Sequence, residues 1–219
     1  MRLLFDAQLQ KLNSEMIIMG SMIEQAIKTA GELLISRDQD TAMALKRGDS
    51  EIDRKEREIE SLCMRMLLIQ QPVARDLRVI SSTLKMITDM ERIADQASDI
   101  AEILTMPLHG AVIPFPEQLQ HMAHETALMV NRAIDAYVKR DADLASEVIA
   151  HDDVVDGLFT QVKENIVALI NEDHTKDSMQ LLDMLMIAKY FERSADHAVN
   201  IAEWVEYAVS GLYKGERLQ

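Results

Sequence analysis

Two stretches of this chain repeat each other, and the repeat limits the architectures open to it. Arg37-Asp38-Gln39-Asp40 returns 103 positions later as Arg140-Asp141-Ala142-Asp143, and Asp49 and Asp53 fall on Asp152 and Asp156 at the same offset. Glu91-Arg92-Ile93-Ala94-Asp95 matches Glu192-Arg193-Ser194-Ala195-Asp196 at an offset of 101, so two residues are lost between the paired elements, most simply in a turn. Three of the four prolines, Pro107, Pro114 and Pro116, fall with Gly110 in the segment TMPLHGAVIPFPE between the copies. The reading is an N-terminal repeat over 1–106, a Pro-rich linker over 107–116 and a C-terminal repeat over 117–219.

Within each copy the pattern is helical. Only seven Gly and four Pro interrupt 219 residues, which leaves long unpunctuated runs. Each copy shows a long amphipathic segment, a charged break, then two helical segments joined by a short turn. The first helices are expected near 6–35 and 117–139. Asp38 and Asp141 are expected N-caps, because a carboxylate there accepts the unpaired first-turn amides. Pro72 is expected in the first turn of a third helix, where its missing amide proton costs nothing. In that helix Ile80, Leu84, Ile87 and Ala94 form an apolar stripe for bundle packing. The expected fold is all-α, two tandem three-helix bundles making six helices. Aromatics are scarce at 4% and Met is abundant at fifteen, so the core should be aliphatic and thioether.

Composition also excludes functions. The single cysteine, Cys63, cannot close an intrachain disulfide, and no run approaches the roughly 20 apolar residues of a membrane span. The opening MRLLFDAQLQ reaches Asp6 before a signal-peptide core can form. A cytoplasmic location is expected. The net charge of −14 repels phosphate backbones and anionic headgroups, so nucleic acid and membrane insertion are not expected. Arg75 and Arg78 form a small basic turn that would meet an acidic partner or pair with Asp76 or a nearby Glu on the helix surface.

The acids carry the sharper signal. Asp49 and Asp53 are four apart, as are Glu91, Asp95 and Asp99, and a four-residue step returns to nearly the same helix face. If the second and third helices form an antiparallel hairpin, residues at one height share a midpoint. That midpoint is 72 for both Asp53/Glu91 and Asp49/Asp95, and 174 for both Asp156/Glu192 and Asp152/Asp196, inside Asn171-Glu172-Asp173-His174. An isolated acidic pair is ordinarily a solvated face. Here like charges gather at one level, each i,i+4 pair costing about 0.2–0.5 kcal/mol. Arg92 and Arg193 project about 100° away at i+1, so a bound cation answers the geometry better. An all-oxygen donor set suits hard cations such as magnesium, manganese or ferric iron, with zinc admissible. In the second stack Asn200 replaces the equivalent of Asp99, and His151 and His197 stand beside its acids.

QQPVARDLRVISSTLKMITDMERIADQASDIAE, from Gln70 to Glu102, and IAKYFERSADHAVNIAEWV, from Ile187 to Val205, together with the Asp49 and Asp152 elements, resemble the PhoU family of phosphate-signalling regulators. The resemblance implies two three-helix bundles in tandem and, by position, metal ligands at Asp49, Asp53, Glu91, Asp95, Asp99, Asp152, Asp156, Glu192, Asp196 and Asn200. The family commonly has Gly before the second acid of the third-helix motif, where this chain has Ala94 and Ala195. It further implies a cytoplasmic, homodimeric, non-enzymatic regulator contacting the ATPase subunit of a phosphate ABC transporter and a sensor histidine kinase. Two other readings stay open: a carboxylate-bridged metalloenzyme of the helical-bundle type, and a metal-free helical interaction module.

Overall fold

The computed structural model describes residues 2–107, 111–172 and 177–217. Its elements in order are α1 (Arg2–Ser36), α2 (Gln39–Gln70), α3 (Ala74–Thr105), α4 (Glu117–Lys139), α5 (Ala142–Glu172), α6 (Ser178–Ser210), β1 (Leu212–Tyr213) and β2 (Glu216–Arg217). The all-α expectation therefore holds, with one addition: two-residue strands pair as a C-terminal hairpin. Lys214 and Gly215 turn it with φ of 50° and 80°, the left-handed pair a tight hairpin demands. Tyr213 stacks on Trp204 of α6 at 4.2 Å between centroids.

The repeat is legible in the backbone. Each first helix stops on a left-handed arginine, Arg37 at φ 49° and Arg140 at φ 53°. Each following helix is capped by the next residue. Asp38 accepts from the Thr41 amide at 3.0 Å, and Asp141 from the amides of Asp143 and Leu144 at 3.1 and 3.0 Å. Pro72 departs from expectation. It lies in the 71–73 turn outside α3, whose N-cap is Val73, while Gln71 ends α2 in a left-handed conformation. A proline just beyond a C-cap prevents α2 from continuing, so it serves the end of one helix rather than the start of the next. The α2–α3 hairpin is still centred on 72. The centre of the second turn, 174, lies outside the described residues.

α1 packs on α2 and α3, α4 on α5 and α6, and the halves meet through α1 against α4 and α3 against α6. One continuous core results, with Met19 and Ile23 of α1, Met90 of α3, Val130 of α4 and Phe191 of α6 in the same cluster. A Cβ on Gly20 would stand 2.7 Å from Ile134 Cγ2, so glycine is what lets α1 and α4 approach. Cys63 is buried, and burial pushes its thiol up to about 12.

The linker is held from both sides. Arg37 Nη2 donates to the Ile113 carbonyl at 3.1 Å and its guanidinium lies 4.6 Å from the Phe115 centroid. Gln180 of α6 donates to the Ala111 carbonyl and accepts from the Ile113 amide, each at 3.0 Å. Among the described residues no helix is long and apolar enough to cross a membrane.

Candidate functional site

The acid-bearing turns sit midway along both hairpins, where long helices fix Cα positions far from fraying ends. In the first half, Asp49 and Asp53 of α2 and Asp95 of α3 each offer a carboxylate oxygen within 4.8 Å of the others. All three are half-buried. Asp49 Oδ1 is enclosed and meets no protein donor. Burial, then the charges of Asp95, Asp53 and Asp99, push the Asp49 carboxyl up to about 6. Burial and Asp95 likewise raise Glu91, and burial is the leading cause that raises Asp99. Glu91 and Asp99 thus flank a three-carboxylate centre at equal or adjacent height. The donor set is oxygen only, the chemistry of a hard cation. Ala94 is buried in the core cluster, so its methyl contributes packing.

One expectation about this stack fails. Arg92 does not point clear of it: Nη1 reaches Asp95 at 2.8 Å and Nε reaches Glu91 at 3.5 Å. The Cβ leaves the helix about 100° from Glu91. The long side chain then folds back one turn, so part of the acid repulsion is answered by the protein itself.

The second half repeats the plan more loosely. Burial, then Asp156, Asp196, Asp153 and Glu192, push Asp152 up to about 6, and burial then Glu192 raise Asp196. Asp156 and Asp196 are exposed, and Lys189 pairs with Glu192. Among the described residues the close three-carboxylate convergence occurs only in the first stack.

Asn200 is not turned to the acids. Its amide donates to Asp89 Oδ1 of α3 at 3.1 Å, and His197 Nδ1 lies 2.8 Å from the same oxygen. Across the same seam Asp99 is hydrogen-bonded to Tyr190. The seam is symmetric, because Asp89 and Tyr190, and Asp99 and Asn200, are equivalents 101 positions apart. His151 also turns away, placing Nε2 2.7 Å from Glu125 of α4. Arg75 and Asp76 form no ion pair with each other among the described residues. Arg75 instead lines a cleft with Tyr137 and Arg140. Sequence reasoning missed Asp89, Tyr190 and Glu125. The i,i+4 spacing of His121 and Glu125 was the one available signal.

A PhoU domain matches twice, over residues 16–104 and 119–205. The phosphate-specific transport system accessory protein PhoU homolog of Clostridium acetobutylicum is 36% identical, covering 96% of both chains. The homolog of Pseudomonas aeruginosa is 34% identical over 94% of this chain and 86% of its own. The crystal structure of PhoU from Pseudomonas aeruginosa superposes with a TM-score of 0.90 at 33% identity, covering 95% of this chain and 100% of that one. The crystal structure of the phosphate transport system regulatory protein PhoU from Streptococcus pneumoniae, at 24% identity and a TM-score of 0.88, shares the fold. The curated names are those of an accessory protein, not of an enzyme. With both repeats matched and relatives about a third identical over nearly the whole length, the chain belongs to the PhoU family.

Proposed function

We propose that this chain is a cytoplasmic regulator of phosphate homeostasis that works by protein contact. When phosphate is plentiful it damps high-affinity phosphate uptake and phosphate-starvation two-component signalling. It does so as a homodimer, through the ATPase subunit of a phosphate ABC transporter and a sensor histidine kinase. The observation that carries this reading is the end-to-end match to phosphate-transport accessory proteins. The surface supports it: at the α2–α3 turn Leu68, Ile69 and Val73 are 74%, 66% and 74% exposed, an apolar tip suited to a partner. Deleting the gene should raise phosphate uptake and derepress phosphate-responsive genes under phosphate excess. Unchanged uptake and expression would sink the reading, and light scattering of the purified chain tests the dimer.

Within that role the acidic stacks hold metal ions, iron, manganese, magnesium or zinc. Asp49 Oδ1, buried without a donor between two further carboxylates, supports this, since an enclosed anionic oxygen needs a positive partner. The test is elemental analysis of untagged protein purified without chelator, beside an Asp95→Ala/Asp196→Ala variant. Metal in the first and its loss from the second is the expected result. Equal metal content in both, or none in either, rejects the assignment and leaves the metal-free interaction module.

A further inference from the structure

Glu125 stands between two imidazoles that the acidic stacks do not use. His151 of α5 brings Nε2 to 2.7 Å from one Glu125 oxygen, and His121, one turn earlier on α4, brings Nε2 to 3.1 Å from the other. The Glu125 and His151 side chains are mostly buried, 14% and 24% exposed, while His121 is 58% exposed. The first repeat has nothing comparable, since the equivalent positions 103 residues earlier are Ile18, Met22 and Gly48. This cluster therefore lies outside the duplicated plan.

From this geometry we infer that His121, Glu125 and His151 form a separate transition-metal site that takes a borderline cation, Zn2+ foremost. Two imidazole nitrogens and one carboxylate oxygen are the donor mix that Zn2+ prefers over Mg2+ or Mn2+. Zinc-to-ligand distances of about 2.0–2.2 Å set neighbouring ligand atoms about 3.3 Å apart in a tetrahedron. The two nitrogen-to-oxygen separations need to open by about 0.6 and 0.2 Å, while the three donor atoms, which do not all lie within 4.8 Å of one another, must be drawn together. What must move is the His121 ring, swinging toward His151 so that both imidazoles share one oxygen's neighbourhood, and His121 is the exposed member free to do so. Two rigid ligands on adjacent helices and one on the solvent side leave the fourth position open to water. Burial pushes Glu125 upward, but hydrogen bonds from His151 and His121 outweigh it and hold the carboxyl below its usual range, so it is an anion at neutral pH.

The test is a Zn2+ titration of untagged, metal-free, full-length protein, read on the imidazole resonances of its six histidines. The expected result is that His121 and His151 shift together at one equivalent while the other four stay put. His121→Ala, at an exposed position that leaves the fold intact, should abolish the His151 shift and weaken this site about tenfold or more. Glu125→Gln, which keeps side-chain shape, should do the same. Two outcomes overturn the proposal: His121 and His151 unmoved by excess Zn2+, or a His151 response that survives His121→Ala. Zinc bound only by the acidic stacks leaves His121 unmoved, whatever it does to His151 beside Asp152, so His121 tells the two kinds of site apart.

Discussion

Asp49 and Asp152 have carboxyls pushed up to about 6 by burial and neighbouring acids. Both therefore hold a proton more tightly in the folded chain than in the unfolded one, where 3.8 is ordinary. Their stabilising contribution is complete below about pH 4 and is lost as pH rises through about 6. Solvent screening of these half-buried groups limits the loss to about 1 kcal/mol each. Urea unfolding of metal-free protein should show stability falling across that window, and the Asp49→Asn/Asp152→Asn variant should be flatter and more stable at neutral pH. A wild-type profile that is level or rising there contradicts the assignment. Spacing made these acids legible, because a four-residue period survives any side-chain rotamer. It could not show that Arg92 folds back onto Asp95, or that His151 and His197 turn to Glu125 and Asp89, since rotamers and helix rotation leave no periodic trace.

At the scale of the element, helix stops and starts were written in local chemistry. Asp38→Ala and Asp141→Ala should each lower the midpoint of chemical denaturation, since each removes an acceptor from first-turn amides. Near-equality of the two shifts would be the energetic form of the repeat. Gly20 tests a contact that no local signal announced. In an exposed helix Gly→Ala gains up to about 1 kcal/mol, but here the methyl meets the stiff, β-branched Ile134. Gly20→Ala should lose about 1–2 kcal/mol net, and Ile134→Ala in the same chain should recover part of it. Additive losses would show that the helices simply separate. The Pro72 placement and the C-terminal hairpin were missed for a shared reason: a three-residue turn and two-residue strands are shorter than any hydrophobic period.

For the whole molecule the decisive fact is that the halves share one core. The sequence shows two copies and a linker, yet it holds no signal for α1 against α4 or α3 against α6, because contacts between copies have no spacing to betray them. A chain cut at residue 106 would bare the faces of α1 and α3 that α4 and α6 cover. Full-length protein should therefore melt in one transition by calorimetry, while 1–106 alone should show markedly less helix by circular dichroism. Two separate transitions in the intact chain would mean the bundles are energetically independent.

The α3–α6 seam has a consequence for how the copies can be inherited. Asp99 faces Tyr190, and Asp89 faces Asn200 and His197. Overwriting the second copy with the first would put Asp at both 190 and 200, setting carboxylate against carboxylate on each side of the seam. Homogenising a duplicated gene in that direction is thus penalised at its own midline. The two halves stay folded together only while they remain different.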